Sequence, residues 1–99
     1  MAIWAEPATS ELKIHVEGRF DFSSHQQFRE VYEDRAHSAR PVVVEMRNAT
    51  YLDSSALGML LLLRDHAGGD AAQIRITNCS ADVRRILKIS NFEQLFTID

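Results

Sequence analysis

Two hydroxyls follow a carboxylate in Asp53-Ser54-Ser55-Ala56-Leu57-Gly58, and this segment carries the clearest chemistry in the chain. The preceding run Val42-Val43-Val44-Glu45-Met46 has the β-branched character of a buried strand, and the leucines that follow Ser55 read as a helix. The serines therefore fall at a helix N-terminus. Unpaired N–H groups and about half a positive charge gather at that end, so a phosphate attached there would meet donors and a favourable dipole. Ser and Asp also cap helices at such positions, and spacing alone favours that simpler role.

Other chemistries find no constellation. His15, His25, His37 and His66 are scattered over different predicted elements, never at ligand spacing from a cysteine or carboxylate, so no metal site is expected. Ser54 lacks a Gly-x-Ser-x-Gly surround and a histidine placed to activate it, which leaves hydrolysis without a base and the chain expected not to be an enzyme. No loop ends in Gly-Lys-Ser/Thr, so no nucleotide or other cofactor is expected. Asn48-Ala49-Thr50 and Asn78-Cys79-Ser80 match the glycosylation sequon, but they read more simply as turns.

Composition narrows the partners. A net charge of −3 with no Lys/Arg run argues against direct nucleic-acid binding, which needs a concentrated basic footprint. Cys79 is the only cysteine, and the start Met1-Ala2-Ile3-Trp4-Ala5-Glu6 lacks the basic flank and apolar stretch of a signal peptide, so a cytoplasmic location is expected. The apolar run Leu57 to Leu63 falls well short of the roughly 20 residues a spanning helix needs, and no membrane insertion is expected. With 45% hydrophobic and 25% charged residues the composition is globular, and 99 residues suit one domain over 1–99.

The elements that position the serines follow from periodicity. Leu12, Ile14 and Val16 alternate with Lys13, His15 and Glu17 as a half-buried strand, and Ile3-Trp4-Ala5 can pair with it across a turn at Pro7 to Ser10. Ser23 or Ser24, with Gln three residues later, forms a capping box for a helix to about His37, whose buried stripe is Phe28, Val31, Tyr32 and Ala36. Pro41 opens the central strand, and a loop from Arg47 to Asp53 leads to the second helix, which runs from Ser54 or Ser55 to about Ala67 and stops at Gly68-Gly69. Ile74 and Ile76 mark another strand. Ser80 caps a third helix with Val83, Ile86 and Leu87 inward, and Phe92 to Ile98 forms a turn and an edge strand. The second helix has leucines around its whole circumference, so it is either buried on two sides or exposes some of them beside the serines as a docking patch.

At Asp53 to Gly58 the chain resembles the STAS-domain family, the anti-sigma factor antagonists, whose motif reads Asp-Ser-Ser/Thr-Gly-Leu-Gly at the start of the second helix. Ala56 is the one departure. Gly18-Arg19-Phe20-Asp21 is similar to the family's turn after the second strand, and Ser80-Ala81-Asp82-Val83 with Arg85 and Leu87 to its third-helix start. After that helix, Asn91-Phe92 replaces a common Gly-Leu. The resemblance implies a single STAS-like layer: a mixed, mostly parallel sheet of four to five strands with three to four helices packed mainly on one face.

It also implies a function. The unphosphorylated family domain binds an anti-sigma factor, a serine kinase that is often the anti-sigma factor itself phosphorylates the serine after the aspartate, and a PP2C-type, metal-dependent phosphatase reverses this. The carry-over falls on Ser54, with Ser55 as the alternate, and on Asp21, Asp53, Ser55, Leu57, Gly58 and Leu61 as partner-binding residues. ATP would belong to the kinase. Ala56 adds a methyl where a partner backbone would approach. Stand-alone domains of this kind also serve as subunits of lipid-transport ATPase complexes, and others switch partners outside sigma-factor pathways.

Overall fold

The computed structural model describes residues 2–6, 10–35 and 40–99. Strand β1 (Ala2–Ala5) runs antiparallel to β2 (Leu12–Phe20), with Ile3 opposite Val16. Strands β3 (Val42–Glu45), β5 (Ile74–Thr77) and β6 (Thr97–Ile98) continue the sheet in parallel, in the order β1-β2-β3-β5-β6. Strand β4 (Ala49–Leu52) lies off this path and pairs in parallel with the far end of β2. β3 is central, as its run of valines requires.

Three helices cover one face: α1 (His25–Tyr32), α2 (Ser54–His66) and α3 (Ala81–Ile89). Their inward residues, Phe28 and Tyr32, Ala56, Met59, Leu60 and Leu63, and Val83 and Leu87, share one core with Leu12, Ile14, Val16, Val42, Val44, Ile74 and Ile76. The alternate strand residues Lys13, His15, Glu45 and Arg75 stand outside that core. Period two in the strands and period three to four in the helices thus meet on a single apolar layer. The expected mixed, mostly parallel sheet is the one that forms, with six strands instead of four or five.

Three expectations need correction. The stretch Arg47 to Asp53 is not all loop, because β4 occupies most of it: Ala49 and Leu52 are buried while Thr50 and Tyr51 between them are exposed, a pattern without alternation. The first helix begins differently. Asp21, not Ser23 or Ser24, organises its start: the Asp21 carboxylate accepts the Ser23 N–H at 3.0 Å, and the Ser24 hydroxyl accepts the Asp21 N–H at 3.4 Å. This box closes a single 3-10 turn over Phe22–Ser24, and Ser24 contributes no side-chain cap to α1 itself. Finally, α1 ends at Tyr32 and Glu33 to Arg35 form a turn; Ala36 and His37 lie outside the described residues, as do residues 7–9 of the expected first turn.

The remaining boundaries agree with the sequence. α2 ends before Gly68 (φ +117°) and Gly69 (φ +60°), and Asn91 takes the left-handed conformation (φ +60°) just after α3.

Candidate functional site

The start of α2 is set by Asp53. Its backbone is extended, its Oδ1 accepts the Ala56 N–H at 2.9 Å, and its carbonyl accepts the Leu57 N–H at 3.2 Å. Capping is therefore supplied by the aspartate. Among the described residues neither Ser54 nor Ser55 has a hydrogen-bond partner for its hydroxyl. The two differ in access: Ser54 is exposed and Ser55 half-buried. Simple capping, which spacing alone favours, belongs to Asp53 and leaves the serine hydroxyls unassigned.

Asp21 is carried to the same place by strand pairing. Phe20 lies opposite Leu52, and the Asp53 N–H donates to the Phe20 carbonyl at 3.3 Å, so the turns after β2 and β4 leave the sheet side by side. The Ser23 hydroxyl donates to Asp21 at 2.6 Å and, as the strongest influence, holds its carboxyl below its ordinary value; desolvation opposes this, and the Ser23 N–H and Arg19 add to the lowering. Arg19 Nε stands 3.6 Å from Asp21, and its guanidinium lies 4.5 Å above the Tyr51 ring.

Helix α2 resolves the question its leucines posed. Met59, Leu60 and Leu63 are buried with Ala56, whereas Leu57 and Gly58 are half-buried, and Leu61 and Leu62 are 39% and 51% exposed. Both alternatives hold at once: the sheet and neighbouring helices take one side, and two leucines remain outward on the helix that Ser54 begins. The Ala56 methyl is fully buried in the core, so it does not stand where a partner would approach.

The sequence singled out Asp21, Asp53, Ser54, Ser55, Leu57, Gly58 and Leu61, and all seven lie on α2 or in the two turns joined at its start. It missed Phe22, Tyr51 and Ile89, all exposed hydrophobics, and left open which of the α2 leucines, Leu62 among them, are exposed. Phe22 sits in a turn where periodicity is silent, and Tyr51 in the strand that was read as a loop.

Other groups are occupied structurally. His15 Nε2 is 2.8 Å from Glu6 and its ring stacks on Trp4 at 3.9 Å, while His66 packs edge-on against Tyr32. Burial pushes the Cys79 thiol up, away from thiolate reactivity. Among the described residues no three His, Cys, Asp or Glu side chains are grouped to hold a metal ion, and no helix is long and apolar enough to cross a membrane.

Comparison with known proteins bears on the family and the fold. The family model described as "Mlab, STAS domain" matches residues 5–97. A STAS-domain containing protein of Pseudomonas aeruginosa (strain UCBPP-PA14) is 65% identical over 100 residues, covering 99% of each chain. The unphosphorylated form of the anti-sigma factor antagonist SpoIIAA superimposes with a TM-score of 0.77 at 21% identity, over 99% of this chain and 88% of its own. The phosphorylated form of the Bacillus cell fate determinant SpoIIAA gives 0.72 at 19% identity, over 99% and 91%. At such identities the two structures establish a shared fold alone; the family model and the 65% identical relative show that the chain belongs to the STAS-domain family.

Proposed function

We propose that residues 1–99 act as one cytoplasmic STAS domain, an anti-sigma factor antagonist that binds an anti-sigma factor when unphosphorylated and is released by phosphorylation of Ser54. The observation that carries this reading is the exposed Ser54 hydroxyl, left without a capping task by Asp53, at the head of a helix that keeps Leu61 and Leu62 outward. The partners are an anti-sigma factor, which is itself the serine kinase or acts beside one, and a PP2C-type phosphatase. The domain works by binding, not turnover.

One phosphate is sufficient physically. It adds about −1.5 to −2 charges beside Asp53, yet in the free domain it is hydrated and favoured by about 0.3–1 kcal/mol at the helix end. Inside an interface the same charge, buried and unpaired, costs on the order of 3–5 kcal/mol. At about 1.4 kcal/mol per tenfold, affinity falls by roughly a hundred- to several-thousand-fold.

The test is phosphorylation by the cognate kinase with ATP, read by peptide mass spectrometry and partner titration. Ser54→Ala should stay folded, resist phosphorylation and bind constitutively, whereas Ser54→Asp should bind more weakly. Stoichiometric phosphorylation of Ser54→Ala would overturn the assignment and make Ser55 the site.

The family resemblance supports a second reading, in which the chain is the STAS subunit of a lipid-transport ATPase complex. Co-purification with a transporter ATPase in place of an anti-sigma factor would select it. A signalling partner outside sigma control, recovered in the same experiment, would keep the switch and change its target.

A further inference from the structure

Strand β1 forms one edge of the sheet, with β2 as its neighbour on the inner side. The Glu6 N–H donates to the Lys13 carbonyl at 3.0 Å, so these two form a hydrogen-bonded pair, and the alternation of an antiparallel ladder gives the same character to Trp4 with His15 and Ala2 with Glu17. Ile3 and Ala5 fall between. Their N–H and C=O groups therefore point away from β2, and among the described residues no hydrogen bond reaches them from elsewhere.

Sheet edges are usually blunted against further pairing. The opposite edge, β6, is two residues long and is followed by Asp99, whose carboxylate pairs with Arg75. β1 has no such device: Ala2-Ile3-Trp4-Ala5 carries no charge, no proline and no bulge. Ile3 and Ala5 pack only partly against the core, and Trp4 is 43% exposed outside it, with its ring stacked on His15.

The spacing of these groups says what fits. A second copy of β1, laid antiparallel about a two-fold axis at Trp4, places Ile3 opposite the other copy's Ala5 and Ala5 opposite its Ile3. All four outward N–H groups, two from each copy, then meet carbonyls. Among registers confined to Ala2–Ala5 this one satisfies the most, because sliding by two residues either way leaves a single bonded pair, Ile3 with Ile3 or Ala5 with Ala5. Trp4 faces Trp4 at a non-hydrogen-bonded position, where side chains lie closest and aromatic pairs are favourable. Glu6 falls opposite Ala2, so no like charges oppose each other. An unrelated segment could take up the same backbone groups, but only a second copy necessarily brings a tryptophan to Trp4.

We infer that β1 is a self-recognition edge through which two copies join their sheets into one, Trp4 against Trp4. The inference stands independently of the Ser54 switch. Four-residue strands alone bury less than the roughly 1,200 Å² of a standard stable interface, so the dimer is reversible and concentration-dependent.

The experiment is sedimentation equilibrium of the full unphosphorylated chain over a range of concentrations, where a monomer–dimer equilibrium is expected. Ala5→Pro removes an outward N–H that β2 does not use, a place where a sheet tolerates proline, and Trp4→Lys sets two ammonium groups face to face. Each should weaken the dimer by about tenfold or more with the circular dichroism of the parent retained. Trp4→Cys in a Cys79→Ser background removes no backbone donor, so it reads the same register even if Ala5→Pro fails to fold. Its two Cα atoms would lie about 4.5 Å apart, within disulfide reach, and mild oxidation should link the copies covalently. A chain that stays monomeric up to its solubility limit overturns the inference. So does a dimer that survives both Ala5→Pro and Trp4→Lys, or one that Trp4→Cys fails to crosslink.

Discussion

Glu45 illustrates how one carboxylate ties strands together. Burial pushes its pKa up, but hydrogen bonds from the Asn78 amide and the Thr77 hydroxyl, each at 2.9 Å, and from the Arg47 N–H at 3.1 Å together outweigh this and leave it below its ordinary value of 4.5. The folded state therefore prefers the ionised form. Its contribution is complete above pH 4.5 and disappears as pH falls through the lowered value. Glu45→Gln should cost about 1–2 kcal/mol in urea unfolding at neutral pH, and its curve should converge with that of the parent in acid. The same bookkeeping was invisible in the sequence, where Glu45 was one polar residue ending a strand and Asn78 half of a sequon. Ser54 was visible there as a hydroxyl at a helix start, but its freedom from capping depends on the Asp53 rotamer, which no spacing encodes.

At the scale of elements, legibility followed periodicity. The edges of α2, the Ser80 cap of α3 and the alternation in β2 were readable because each rests on local chemistry: a cap, a glycine stop, a repeat of two. β4 was not, because Ala-Thr-Tyr-Leu has no period of two and is a strand only by pairing with β2. The start of α1 was misassigned because Asp21 and the serines after it compete for the same N–H groups, and only the folded turn decides between them. Nor could the sequence divide the leucines of α2, since which are exposed depends on what lies against the helix. Gly58 gives this helix a test. A Cβ built there meets nothing within 4 Å, and the backbone has no left-handed angle to protect. Gly58→Ala should therefore stabilise the domain by about 0.5–1 kcal/mol, raising the urea midpoint at constant slope. A loss of stability would show that the helix needs its glycine for packing.

For the molecule as a whole, one strand joins the two functions of the fold. Leu12 to His15 of β2 pair with β3 in the centre of the sheet, while Gly18 to Phe20 pair with β4 beneath the Ser54 site, with a register shift between Gly18 and Arg19 and a left-handed φ of +80° at Gly18. Asp21 leaves from the end of that same strand, and Asp53 is bonded back to it through the Phe20 carbonyl. We expect local opening at the site to be coupled to the central ladder through β2. The Asp53 amide should exchange its hydrogen about as slowly as the amides of β3, whereas exchange as fast as that of an exposed turn would show the site loosening by itself. A surface that signals by gaining and losing a phosphate would then be timed, in its own motions, by the slowest event the domain undergoes.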